Sequence, residues 1–280
     1  DQVYRKVIED RSTGTLARAL QGQLPGLNIT FTDSKPTRGA SVNVRGSGSI
    51  GAGGSTLVLI DGVEGSINAI NPQDVESVSV LKDASSSAVY GARGAFGVVL
   101  ITTKSAKKGT PVINYNGSVT INRRTVTPDV VTDGLTWINW WKDCYNGYYN
   151  GSKALLNHVD STIPYTETIY QELIRRSQDP SLARTTALSG HDQFGWAYYD
   201  STDWHSLFYK DYNWSTEHNL SISGGVDQAD YYISGRFYDM DGIYKVGNDS
   251  YKKYDVRAKG TLKVRPWLRL TNNMSVSVID

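Results

Sequence analysis

The sequence predicts an α+β domain over residues 1–108, followed over residues 109–280 by the first strands of a large antiparallel β-barrel of membrane type. Three observations carry this. The hydrophobic period changes near residue 109 from mixed to strictly alternating. The alternating segments run roughly 10 to 12 residues, long enough to cross a bilayer at a tilt. Their connections alternate between short turns and long loops, the barrel arrangement.

In the first half, Ser12 or Thr13 is placed to cap a helix through Leu16, Ala17, Ala19 and Leu20 that stops near Pro25-Gly26. Leu27 to Thr32 and Ala40 to Arg45 are short strand candidates. Thr56 to Ile60 is a continuous apolar run closed by Asp61-Gly62, a strong turn dipeptide. Asn71-Pro72 opens a short helical turn, and Ser77 to Leu81 is the next strand. Ala84 to Tyr90 reads as a short helix and Gly97 to Thr103 as an apolar strand. Lys104, Lys107 and Lys108 close this half in a basic linker.

The second half is predicted to hold strands near 112–122, 213–224, 230–239, 253–264 and 267–278, with a long extracellular loop over 124–211. Residues 253–264 alternate most cleanly. Tyr254, Val256, Ala258, Leu262 and Val264 face one way; Lys253, Asp255, Arg257, Lys259 and Lys263 face the other. Such a charged face would be costly against lipid and suits a lumen that is wet or touches a polar plug. Tyr212, Trp214, Tyr244, Tyr251, Tyr254 and Trp267 crowd the strand ends, as interfacial girdles do. A soluble sheet with one wet face also alternates, so period alone leaves both readings open.

Composition narrows the class. Lys plus Arg is 29 and Asp plus Glu is 28, a formal charge of +1, which argues against a nucleic-acid partner. The single cysteine, Cys144, makes no internal disulfide, and no zinc-type Cys/His spacing exists. No run of about 18 apolar residues occurs, so no transmembrane helix is expected. Gly at 27 and Tyr at 18 fit a turn-rich β protein better than a helical bundle.

Enzymatic motifs are absent. Gly46 to Gly51 fits G-x-G-x-x-G, yet a strand rather than a helix follows, so a tight backbone turn is expected there and no cofactor. The four histidines lack metal-ligand spacing, and no nucleophile elbow occurs. The long loop is richer. Trp137, Trp140, Trp141, Tyr145, Tyr148 and Tyr149 recur near helical spacing, and Trp196 and Tyr198 add further rings. Such rings either form the small core of a folded loop or present a ligand or partner surface.

The stretch from Val80 to Lys104 closely resembles the plug domain of TonB-dependent outer-membrane transporters, in their SusC/RagA-like branch of the Bacteroidetes. Further matches fall in order: Leu20 to Gly26, Arg45-Gly46 with Ser49-Ile50, Ile60 to Val63, and Asn71 to Ser77. Downstream, Thr202 to Trp204, Asn219 to Gly225 and Asp241 to Ile243 resemble the family's first barrel strands.

The resemblance implies a plug inside a barrel of about 22 strands, of which this chain looks like a fragment. It implies import of an oligosaccharide or peptide, driven by TonB with its inner-membrane energising complex, beneath a SusD-like surface lipoprotein, and a barrel set in outer-membrane lipid. It also implies structural or gating roles for the plug-motif residues Arg45, Gly46, Asp61, Gly62, Lys82, Asp83, Tyr90, Gly91, Arg93 and Gly94. Arg45 and Arg93 are expected to form plug–barrel or internal ion pairs. The alternatives are a non-transporting surface receptor or signal transducer on the same fold, and a soluble α+β nucleotide-binding protein.

Overall fold

The computed structural model describes residues 2–9, 11, 13–32, 38–44, 56–106, 108–148, 167–182, 185–187, 196–198, 201–247 and 249–280. Arg45, Gly46, the rest of the glycine-rich segment to Ser55, and Tyr149 lie outside the described residues.

The N-terminal domain opens with β1 (Gln2–Tyr4) and α1 (Arg5–Glu9), two elements without a sequence signal of their own. In α2 (Leu16–Leu20) the N-cap is Thr15, not Ser12 or Thr13 as expected: its side chain accepts from the Arg18 amide at 3.4 Å. The Thr13 hydroxyl instead donates to the Thr15 carbonyl. Strands β2 (Leu27–Thr30) and β3 (Ser41–Val44) pair antiparallel. Next come β4 (Leu57–Ile60) and β5 (Val63–Glu64), joined by the expected Asp61-Gly62 turn. Asp61 has φ 50° and Gly62 φ 87°, the left-handed pair of a two-residue hairpin loop. A 3-10 turn, Pro72–Asp74, starts where the Asn71 side chain accepts from the Gln73 amide at 3.0 Å. Then follow β6 (Val75–Leu81), α3 (Ala84–Ser87), a second 3-10 stretch (Ala88–Gly94) and β7 (Val98–Thr103).

The central sheet has the order β1-β6-β7-β4-β5. β4 runs parallel to β7, and the other pairs are antiparallel. The alternate residues Val78 and Val80 of β6, with Val99 and Ile101 of β7, pack against Leu16, Ala17 and Leu20 of α2 in one core. Burying each such Val, Leu or Ile side chain contributes about 1.5–3 kcal/mol. Gly97 is required where it stands: its φ is +93°, and a Cβ would come 2.6 Å from Cβ of Val44.

The long strands are β8 (Gly109–Arg123), then, after the loop elements, β11 to β14. In the loop lie α4 (Gly134–Tyr148), α5 (Glu167–Gln178), β9 (Thr185–Ala187), β10 (Trp196–Tyr198) and α6 (Trp204–Phe208). After them come β11 (Tyr212–Gly225), β12 (Ala229–Asp241), β13 (Ser250–Arg265) and β14 (Leu268–Ile279). The sheet order is β14-β13-β12-β11-β8. The turns at 226–228 and 266–267 are short, as the sequence reading expects.

Register sorts this sheet into two faces. Leu220, Gly235, Val256 and Val276 stand in one cross-strand row, and Ile222, Ile233, Ala258 and Met274 in the next. Leu220, Ile233, Val256, Met274 and Val276 of these are exposed. On the opposite face one row is Asn219, Arg236, Asp255 and Ser277; its neighbour is Ser221, Ser234, Arg257 and Ser275. Arg236, Lys253, Asp255 and Arg257 on this face are buried. One expected girdle residue is misplaced: Tyr251 shares the parity of Lys253, so it is buried on the polar face, edge-on to Tyr238.

The chain divides into two compact units. One holds residues 1–122, 212–242 and 248–280, so the N-terminal domain and the long strands pack as one body. The other holds residues 123–211 and 243–247. In this second unit Asp133 immediately precedes α4, and its carboxylate accepts from the Thr136 amide at 2.7 Å. Ile138 of α4 and Leu173 of α5 form its small core, with Leu135, Ile169 and Tyr170 against them.

Candidate functional site

The charges at the centre of the polar face, Arg236, Lys253, Asp255 and Arg257, are buried against the N-terminal domain and are answered there or by a strand neighbour, while Lys263 and Arg269 at the far end are exposed.

Arg236 is fully buried, with its side chain 0% exposed. Its Nε donates to Glu217 at 2.8 Å and Nη1 to Asp255 at 3.2 Å. Its third direction crosses to the N-terminal domain: Nη2 donates to the Gly14 carbonyl at 3.0 Å. Gly14 has no room for a side chain, since a Cβ would lie 2.7 Å from the Tyr238 ring. One strand over, Lys253 donates to the Asn68 carbonyl at 3.1 Å and lies 3.4 Å from Asp255.

Two carboxylates of the N-terminal domain take the next charges along β13. Asp74 ends the Pro72–Asp74 turn, and its carbonyl holds the Lys104 amide at 2.8 Å. Its carboxylate accepts from the Tyr232 hydroxyl at 2.9 Å and lies 3.7 Å from Arg257 Nε. Asp61 projects from its left-handed turn. It accepts from the Thr103 amide at 2.9 Å and from the Thr103 hydroxyl, which ties the turn to the end of β7. On its other side Lys259 approaches to 3.3 Å, and the Asn273 amide donates at 2.8 Å. Arg257 lies between the two carboxylates, 3.9 Å from Asp61, and donates to Asn273 at 2.9 Å.

Environment sets the two carboxyls apart. Burial would raise Asp61, but the Thr103 hydrogen bonds, the Lys259 charge and the Asn273 amide outweigh it and hold the group below the usual carboxylate range. Burial dominates at Asp74 and pushes it up, against the hydrogen bond from Tyr232 and the more distant Arg257 charge. A seam of this kind fixes register without a large net stabilisation, because burying each charge offsets much of its pairing energy. It is also separable: each group regains hydration when the faces part, which an apolar contact does not.

The plug-motif residues are spread around this seam. Asp61 is its centre, with Gly62 completing the turn. Lys82 is half-buried after β6, and Asp83 precedes α3, where its carbonyl accepts from the Ser87 amide at 3.0 Å. Tyr90 packs on Leu57, Leu59 and Val98. Gly91 has φ 60° and ψ −148°, a kink between helical turns. Gly94 admits no Cβ, which would lie 2.5 Å from the Ser87 carbonyl. Arg93 pairs with Glu64 at 2.8 Å within the N-terminal domain, on an exposed surface where such a pair contributes at most about 1 kcal/mol.

The aromatic candidates lie in the second unit. Trp137 stacks on Trp141 with centroids 6.1 Å apart and planes 1° apart, and Trp140 tilts against Trp141 at 46°. Trp140 is 60% exposed. Tyr145 is half-buried and Tyr148 exposed at the end of α4. Trp196 and Tyr198 belong to β10, opposite Ala187 and Thr185 of β9.

A small α+β domain held by ion pairs to the inward face of long antiparallel strands defines the plug and wall of a TonB-dependent receptor. Residues 1–98 match the family described as TonB-dependent Receptor Plug Domain. The chain is 30% identical over 240 residues to TonB-dependent receptor SusC of Bacteroides thetaiotaomicron, covering 82% of this chain and 19% of SusC. A TonB-dependent receptor of Formosa agariphila is 28% identical over 285 residues, covering 97% of this chain and 24% of that protein. The structure of the RagAB peptide importer in its open-open state matches all of this chain and 30% of its own, with TM-score 0.73 and 27% identity. Residues 1–98 thus carry a TonB-dependent receptor plug domain, and the chain as a whole is similar to SusC/RagA-like receptors and spans about a fifth of SusC.

Proposed function

We propose that this chain forms the plug and first wall strands of an outer-membrane importer, a transporter and not an enzyme. TonB with its inner-membrane energising complex works the plug, and a SusD-like lipoprotein meets the receptor at the cell surface. The cargo is an oligosaccharide, with a peptide as the other class. The observation that carries this reading is the division of the wall: an exposed apolar face suited to outer-membrane lipid, and a charged face closed by Asp61 and Asp74 of the plug. An exposed apolar band of that extent would be a liability in water. The rings around Trp140 supply a surface for capturing cargo or docking the lipoprotein.

Uptake of labelled oligosaccharides and peptides by cells carrying the intact receptor, with and without TonB, tests it. Uptake that needs both proteins, together with recovery of a lipoprotein on purification, is the expected result. Growth and uptake unchanged by deleting the receptor would sink the proposal.

A further inference from the structure

In the second unit one contact depends on the charge state of a histidine. His205 stands on α6, and its ring meets Arg124, the residue that follows β8. Arg124 Nη1 donates to His205 Nδ1 at 2.6 Å and lies 3.4 Å from Nε2. The guanidinium is also pinned from another side, where Nη2 donates to Asp211 at 2.6 Å. Arginine only donates, and it keeps its charge across the physiological range. The ring must therefore accept, and imidazole offers a lone pair only while it is neutral. Protonation removes the acceptor and sets a second cation against one that Asp211 holds in place.

The groups around the ring pull both ways. Asp203, which caps α6 through the Ser206 amide at 2.9 Å, attracts a charge on His205. Arg124 opposes it, and so does Lys245, whose ammonium donates to the Ser206 carbonyl at 2.7 Å. Asp211 is already engaged by Arg124. Tyr209 packs on the imidazole with centroids 4.8 Å apart, and Tyr244 packs on Tyr209 at 5.2 Å; both phenols stay neutral where imidazole titrates. The helix so tied presents Trp204 and Phe208, which stack 5.7 Å apart and are both exposed.

We propose that the His205–Arg124 contact is an acid-sensitive tie, which releases α6 with its aromatic pair from Arg124 when the ring protonates. The sign follows from the contact. It needs the neutral ring, so it is present above the imidazole range and is lost as pH falls through it. The proposal goes beyond the importer reading and does not depend on it.

The test uses the intact receptor in detergent. His158→Gln and His191→Gln form the common background, which leaves His205 as the one histidine in residues 123–211. Hydrogen–deuterium exchange of residues 204–209 is followed from about pH 7.5 to about pH 5.5, with each rate taken relative to the same sequence as a free peptide. Protection is expected to fall about tenfold on acidification, while protection of β12 stays constant and reports that the wall remains folded. His205→Gln keeps an acceptor for Arg124 and cannot protonate, so its protection is expected to stay level across the range. His205→Lys carries a fixed charge and is expected to be poorly protected at both ends. Level protection in the His205 protein overturns the proposal. So does an equal fall in His205→Gln, which would assign the acid response to another group.

Discussion

Lys259 holds its ammonium 3.3 Å from Oδ2 of Asp61, a residue 198 positions away in sequence. Asp61 is restricted twice over, because its backbone at φ 50° suits few residues besides Asn, Asp and Gly. Asp61→Asn keeps the turn and removes the charge that Lys259 and Arg257 face. The expected loss in plug–wall stability is roughly 2–4 kcal/mol, as for a partly buried pair stripped of one partner. Asp61→Ala adds the left-handed strain, about 1–2 kcal/mol more. The urea concentration at which the plug of the intact receptor becomes trypsin-sensitive reads both.

The two seam carboxyls give opposite pH slopes. Asp61 is held low, so its contribution is present at neutral pH and is lost as pH falls through its lowered pKa. Asp74 is pushed up, so its charged form weighs against the folded state at neutral pH, and that penalty lifts on acidification. The two partly offset each other. Asp74→Asn is expected to steepen acid release of the plug, and Asp61→Asn to flatten or reverse it, in protease protection followed across the carboxylate range.

Gly14→Ala drives a methyl group against the Tyr238 ring at a point where the chain also accepts from Arg236. Overpacking of this kind costs about 1–3 kcal/mol. Tyr238→Leu in the same chain makes room. A double-mutant cycle is expected to show coupling of at least about 0.5 kcal/mol between the two positions. Strict additivity would mean the contact does not limit the fit.

Arg236 serves Glu217, Asp255 and the Gly14 carbonyl at once. Lysine has one ammonium on a flexible stem and cannot reproduce that fork. Arg236→Lys is therefore expected to destabilise the seam, and Arg236→Met more so, by about 3–5 kcal/mol, since two buried carboxylates lose their cation. Denaturant midpoints of the detergent-solubilised receptor rank the variants.

On α4, packing and presentation fall to different residues. Trp140 is largely exposed while Ile138 is core. Trp140→Ala is expected to weaken capture of cargo or lipoprotein about tenfold with the helix intact. Ile138→Ala is expected to unfold α4 locally, seen as amide exchange. Binding unaltered in Trp140→Ala would assign the rings to packing alone.

The sequence shows its architecture more readily than its seam. Alternation from Lys253 to Val264 gives both faces of β13, because a strand's period is a local property. The Asp61-Gly62 turn is legible for the same reason. Tyr251 misleads because it stands near a strand end, while its parity places it with Lys253 on the buried face. β1 and α1 are too short to carry a pattern, and their order comes from pairing with β6 and from the buried Ile8. Lys253, Arg257 and Lys259 announce a charged face without naming partners. Asp74 and Asn68 are reached only through the fold, and no local spacing marks either.

The stem of the second unit has its own consequence. Arg124 and Asp211 bind each other twice, side chain to side chain at 2.6 Å and amide to carbonyl at 3.4 Å. Lys210 and Lys245 extend the closure through backbone bonds to Ile243 and Phe208. An excursion clasped at its base can be lengthened, shortened or exchanged while the clasp keeps its two ends together, since loop length itself costs little. Residues 125–210 then amount to a cassette. Exchange at the Arg124–Asp211 clasp would replace the excursion while leaving the pairing of β8 with β11 in place.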